Sequence, residues 1–365
     1  MSSGRPLTLT KTPLFTLGHA CPQDVQLKSL FINWPHDNLK LLSTAQEMRD
    51  KIKSNITSDK YPFSAKLEMV NNYLPVALAM EKIKKENAKV TANKENRFKW
   101  KQSPIVINKY LERNFNSDYI ANEVLHVIWL KAILLLNHSY LLYTGNDIEK
   151  AIATLKECAG IFHYLSADRL RVSNEPVAIE FQAPVFNSFT SLALGQAYSL
   201  IAAKGEADGI SPSALGKLCY TVSATYSSAL DAIKTAKPPE AIHEQFIHWL
   251  TGVKLFYQAA AAANLAYAQN AAQAIGKSIG LIRLAIGYLE QAVKLDKHNI
   301  RLNEASNELI AALQPIDKKW TQENFTVQAE YVPPAAEAEM IMTTTCTMMP
   351  NLPQPTPFSL PEPAQ

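Results

Sequence analysis

Apolar residues recur at spacings of three and four along nearly the whole chain, and no long stretch alternates apolar and polar positions two by two. This pattern predicts helices over about 37–57, 65–88, 118–143, 147–165, 183–205, 212–235, 240–270, 273–295 and 299–313. Strand-like composition is confined to the ends, in TLTKTPLFTL near Leu7–Leu17 and FTVQAEYV near Phe325–Val332, so a small sheet pairing the two ends is expected beside the helices. The fold class is therefore mainly all-α.

Gln258 to Ala274 reads QAAAAANLAYAQNAAQA, which lets neighbouring backbones approach closely because alanine adds little bulk. The next segment, AIGKSIGLIRLAIGYLEQAVKL, keeps the small and large alternation of stacked helix hairpins. Hairpin-length spacing and small-residue contacts point to a tetratricopeptide-like solenoid, although no 34-residue repeat is present. Beyond Val332 eight of the 21 prolines follow (Pro333, Pro334, Pro350, Pro353, Pro355, Pro357, Pro361, Pro363). The expected organisation is a helical domain over 1–335 and an extended, proline-rich tail over 336–365. PQPTPF lacks the flanking arginine usual in polyproline ligands, which favours a strap lying along its own domain.

Val124 to Tyr143 is long enough to span a bilayer, but it carries His126, Lys131, Asn137 and His138, which favour a buried helix. With 47% hydrophobic and 19% charged residues in 365, the chain can bury one large or two ordinary cores. A net charge of +3 without a basic stripe interleaved with aromatics argues against nucleic acid. Between 81 and 101 there are eight basic side chains and three acidic ones, enough for a weak contact with an anionic membrane or an acidic partner, though a solvated linker is the favoured account. Cys21, Cys158, Cys219 and Cys346 form no CxxC pair, as suits a reducing compartment, and Met1 to Thr10 has no signal-peptide run. A cytoplasmic protein is expected.

Candidate chemistry is sparse. Phosphate loops, dinucleotide fingerprints, H-E-x-x-H and G-x-S-x-G are all missing, and His243 and His248 are five apart, on different helix faces. His138 and His163 read as core or boundary imidazoles, and Cys158 has no activating neighbour in sequence. The chain reads as a non-enzyme with no cofactor or metal. The weak enzyme alternative rests on Cys158 and His163 alone.

The segments around the loop at Asn174-Glu175-Pro176 stand out. On 183–205, Phe186, Phe189, Ala193 and Leu200 form one stripe, and Leu194, Tyr198 and Ile201 form a second roughly opposite. On 212–235, Leu215, Cys219, Val222, Tyr226, Ala229 and Ile233 form the main stripe, leaving Ala214, Leu218, Thr221 and Thr225 as a smooth, uncharged flank. The spare faces either pack on other helices of the same solenoid or form a groove for a partner's amphipathic helix. Periodicity does not separate the two.

Several runs, in order, resemble the Bro-one domain of the ALIX and BROX group of ESCRT-associated adaptors. They are FKWKQSP, NEVLHVIWLKAILLL, DIEKAIATLKECAGIFHYL, NEP, FTSLALGQAYSLIAAK, LGKLCYTVSATYSSAL, FIHWLTGVKLFYQAAA, SIGLIRLAIGYLEQA and KKWTQENFTVQAEYVP with its proline-rich end. The resemblance covers about residue 10 to the C-terminus. It implies a curved, banana-shaped domain that binds the C-terminal amphipathic helix of ESCRT-III (charged multivesicular body protein) subunits, in the cytoplasm and at endosomal or other ESCRT-active membranes. It places the partner groove on Ile201, Ala214 and Leu218, with Leu194, Tyr198, Leu215 and Lys150 as walls or rim.

The chain departs from that pattern in places. Ile201 stands where an aromatic is usual, Ala214 where a larger aliphatic is, and Glu149 where a basic residue is, with Lys150 adjacent. A tyrosine of some members falls on or near Gln328. The end, PEPAQ, lacks the cysteine box of BROX, yet the short chain makes a single-domain, BROX-like member the nearer comparison. The alternative kept open is a tetratricopeptide-like adaptor for unrelated peptides.

Overall fold

The computed structural model describes residues 13–18, 20–93, 96–101, 114–167, 178–238, 241–295, 299–347 and 352–364. The loop at 168–177, with the NEP run, lies outside them. The chain begins with β1 (Cys21–Pro22), α1 (Leu27–Leu30), β2 (Phe31–Ile32), α2 (Leu39–Asn55), α3 (Phe63–Glu86), β3 (Thr91–Ala92), β4 (Phe98–Lys101) and β5 (Asn114–Ser117). The helical array follows: α4 (Ile120–Thr144), α5 (Ile148–Ser166), α6 (Ala183–Ala207), α7 (Pro212–Ile233), α8 (Glu244–Ala271), α9 (Ile275–Leu295), α10 (Ile300–Glu323) and α11 (Ala335–Thr345). From α2 to α10 each helix packs chiefly on its neighbours in sequence, the arrangement of a solenoid, and α11 returns onto α9 and α8.

Helix ends follow local chemistry. Asp147 accepts from the Lys150 amide, Ser211 from Ala214 with Pro212 in the first turn, His243 from Gln245 and Asn299 from Leu302, so four helices start on side-chain caps. The alanines of α8 do what their size suggests. Ala259 to Ala263 are fully buried, and a Cβ on Gly216 of α7 would lie 3.3 Å from the Ala261 carbonyl and 3.2 Å from Leu265.

Three expectations change. The sheets come from neither chain end: β1–β4–β5 pair antiparallel (Cys21 opposite Lys101, Phe98 opposite Ser117), and β2 pairs with β3. Residues 13–17 form no strand, and Asn324–Gln328 is a π-helical turn that Ala329 ends with φ 53°. Helix α10 runs ten residues past its predicted end, through Pro315, because Trp320 beyond the proline is still buried. The tail also opens with a helix rather than extended chain. In α11 alanine and glutamate favour helix, and Ala338 and Met342, one turn apart, are fully buried.

Helix α4 is long and apolar enough to cross a membrane, but 89% of its most apolar window is buried within the fold. Its polar residues have partners. Asn137 accepts from the Leu17 amide at 3.0 Å and donates to its carbonyl at 2.7 Å, His138 stacks on Phe63 at 3.7 Å, and Lys131 lies 5.5 Å from the Phe358 ring centre. At its start the fully buried Glu123 accepts from Arg49 and Tyr73 at 2.8 Å and from Trp100 at 2.5 Å. Arg49 also donates to the Gln23 and Lys99 carbonyls, so one buried ion pair clasps α2, α3, α4 and the sheet together.

Candidate functional site

The α6–α7 hairpin turns at Asp208–Ser211. Gly209 takes the left-handed φ of 75° that ends α6, and Gly205 leaves room for Ile210, whose Cδ1 lies 2.8 Å from where a Cβ would stand. In an antiparallel hairpin, residues equidistant from the turn share a level. Ile201, eight before Gly209, therefore stands level with Leu218, nine after it, and Ala214 lies nearer the turn.

Phe186, Phe189, Ala193 and Leu200 form the inward stripe of α6, at most 2% exposed, and Gly195 meets the ring of Tyr226 on α7. Leu194, Tyr198 and Ile201 lie on the opposite side. Leu194 and Ile201 are half-buried, and Tyr198 is 6% exposed. On α7 the main stripe from Leu215 to Ile233 is buried throughout. Beside it Ala214 and Thr225 are half-buried, while Leu218 is 4% and Thr221 1% exposed. Thr221 and Thr225 donate their hydroxyls to carbonyls one turn back, at 3.0 and 2.8 Å, so the flank offers no spare donor.

Leu194, Tyr198 and Ile201 thus share the second side of α6, and Ala214 and Leu218 the flank of α7, with Leu218 and Tyr198 almost fully buried. Leu215 has no exposed surface, so it belongs to the core and is not a groove wall. Lys150, three-quarters exposed, is held by Asp147 at 2.7 Å. Glu149 receives Lys204 of α6 at 2.6 Å, which restores a cation beside the position where the resembling family carries one. These contacts hold the Asp147 and Glu149 carboxyls below their usual range and raise both lysines.

What covers Tyr198 was not legible in sequence. Its hydroxyl donates to the Pro353 carbonyl at 2.9 Å, because the tail turns back over the array after α11. Thr356 donates its amide to the Lys156 carbonyl of α5, Phe358 packs edge-on against Tyr164 at 5.2 Å, and Ala364 donates to the Pro75 carbonyl of α3. The sign in sequence was Gly160 in mid-α5, where a Cβ would lie 1.7 Å from the Thr356 carbonyl oxygen.

Cys158 and His163 are not brought together. Cys158 is fully buried, its thiol 3.3 Å from the Ala132 carbonyl and pushed far up by burial, whereas His163 is exposed. His248 pairs with Glu244 at 3.2 Å, not with His243. Among the described residues no group of three His, Cys, Asp or Glu side chains could hold a metal ion. In the basic run, Lys82 and Lys85 face glutamates one turn away, Lys84 donates to the Val90 carbonyl, and Arg97 pairs with Asp118.

The family profile of a BRO1-like domain matches residues 36–360. Among solved structures the chain is similar to the ALIX BRO1 domain in complex with CHMP4C, with TM-score 0.73 and 14% identity, covering 95% of this chain and 96% of that one. A Bro1 domain described for endosomal targeting matches with TM-score 0.66 and 14% identity over 92% of this chain and 95% of that one. ALIX in complex with the SIVmac239 PYKEVTEDL late domain matches with TM-score 0.74 and 14% identity, covering 96% of this chain and 50% of that one. None of the curated proteins compared matches the chain significantly in sequence.

Proposed function

The chain belongs to the BRO1-like domain family, and we propose that it is a non-enzymatic adaptor that docks the C-terminal amphipathic helix of an ESCRT-III subunit on the α6–α7 hairpin. The observation that carries this reading is the second stripe of α6. Beyond its inward stripe α6 carries Leu194, Tyr198 and Ile201, of which Leu194 and Ile201 stay half-buried, beside an uncharged flank of α7. The fold shared with an ALIX BRO1 domain that binds CHMP4C supports the choice of partner. Ile201 and Leu218 form the floor, Ala214 a shallow end, and Lys150 and Lys204 a basic rim for acidic side chains of the helix. The protein would act from the cytoplasm at endosomal or other ESCRT-active membranes. Lys89, Lys99 and Lys101, exposed in the basic run, add a weak attraction to an anionic surface.

The test is titration with a labelled ESCRT-III C-terminal helix. Ile201→Asp places a carboxylate on a half-buried site and should weaken micromolar binding at least about tenfold with little change in stability. Wild-type protein that does not bind the helix would sink this reading and favour an adaptor for unrelated peptides.

A further inference from the structure

Among the described residues the three most exposed large apolar side chains are Phe325 at 84%, Val327 at 72% and Tyr331 at 69%, and they fall within one turn and its exit. Apolar residues scattered singly over a surface need no partner, but these three are gathered at one place. We propose that the π-helical turn at the end of α10 is a membrane-inserting tip, whose apolar side chains enter the headgroup region of an anionic bilayer. This contact is separate from the α6–α7 docking surface.

The shape suits a lipid surface better than a flat protein face. Phe325 to Ala329 are exposed without a break, and Phe325 and Val327, two residues apart in a helical turn, point to different sides of it. Both are open to solvent, so the turn stands clear of the array. Its base is fixed. Ala329 takes a left-handed φ of 53°, unusual for alanine, and the buried Asn324 side chain clamps Glu330 beyond it, accepting from the amide at 2.8 Å and donating to the carbonyl at 2.9 Å. The Glu330 carboxylate in turn accepts from the Gly276 amide at 2.8 Å, which ties the turn to the start of α9.

The charges around the turn complement an anionic surface. No residue from Asn324 to Ala329 is ionisable. The carboxylates of Asp317, Glu330 and Glu337 are engaged by Arg283, the Gly276 amide and the Tyr331 hydroxyl. Lys277, beside Gly276, and Lys318 and Lys319, in the last two turns of α10, are exposed and in no ion pair among the described residues, against the exposed Glu323. Each lysine held near an anionic bilayer strengthens attachment about fivefold, and Tyr331 suits the interface with an apolar ring and a polar end.

The full chain is floated with vesicles of phosphatidylcholine, alone or with phosphatidylserine. The expected result is attachment to the anionic vesicles, weakened at least about tenfold by Phe325→Ser with Val327→Ser, which removes two exposed side chains and leaves the melting temperature unchanged. Lys318→Glu with Lys319→Glu should also weaken it about tenfold or more, and Lys99→Glu with Lys101→Glu, in the basic run, far less. All five native tryptophans are buried, so an indole placed by Phe325→Trp reports the tip, and its emission should shift to the blue when anionic vesicles are added. Attachment that survives the double serine change, or an added indole that still emits as in water on attached protein, overturns the tip as the contact. Wild type that attaches to neither vesicle overturns it too. Dimers in sedimentation that need Phe325 and Val327 overturn it in favour of an interface between copies.

Discussion

His126 makes stability fall in acid by an amount that can be worked out. The ring is fully buried, stacked 4.7 Å from Trp100 and edge-on 4.5 Å from Phe181. Its Nδ1 is 2.7 Å from the Asn122 carbonyl, which makes that nitrogen the protonated one of a neutral ring. Burial, opposed by that hydrogen bond and reinforced by the Arg49 cation, lowers the pKa from 6.5 to about 3. The unfolded chain therefore takes up a proton at this residue from pH 6.5 downward, while the native chain takes none until pH approaches 3. Stability present above pH 6.5 drains away as pH falls, by about 2 kcal/mol at pH 5 and about 4 kcal/mol at pH 3. Urea unfolding midpoints of wild type and His126→Gln between pH 7.5 and 4 measure this, since other titrating groups are common to both chains. The wild type should lose its margin more steeply below pH 6.5. Parallel curves would refute the assignment of a buried neutral imidazole.

Other expected outcomes follow from burial and pairing. Glu123→Ala strands the buried Arg49 and leaves Tyr73 and Trp100 without their acceptor, so it should cost about 3–5 kcal/mol. Hydrogen exchange should quicken over α2, α3 and β4 well before α8 and α9. Leu218→Asp, at a residue 4% exposed, should weaken both partner binding and folding, the latter by at least about 3 kcal/mol in urea unfolding, unlike Ile201→Asp. Ala214→Ile adds three carbons to a half-buried position and, with about half their transfer energy realised, should tighten helix binding by about 1 kcal/mol, or fivefold, in titration.

Helices were legible where a whole stripe declared them. The inward residues of α6 and α7 are the ones that spacing selected, because 3.6-residue periodicity records burial on one side directly. Short elements left no such record. The strands are two to four residues long, too few for alternation to show, and the eleven residues of α11 are hidden among prolines that read as extended chain. The clasp was equally silent, since Arg49 and Glu123 lie 74 positions apart and neither residue type alone signals a buried pair. At the candidate site the pattern revealed that α6 has two apolar sides but not which of them the chain itself would cover. That depends on where a proline-rich tail comes to rest, and only Gly160 bore a local trace of it.

The two ends of the chain cross the array in different ways. Both run across helices that otherwise pack chiefly on their neighbours in sequence. The N-terminal segment enters the core. Leu14, Leu17 and Ala20 are buried, Leu17 exchanges two hydrogen bonds with Asn137 of α4, and Phe15 packs within 5.2 Å of Phe246 and Trp249 of α8. Lifting it would expose apolar surface on two helices at once. The C-terminal segment buries no residue fully and crosses α6, α5 and α3 on single hydrogen bonds. Its hold is completed by Leu352, Phe358, Leu360 and Ala364, half-buried against the core, so it is spread thinly along the array where that of the N-terminal segment is concentrated.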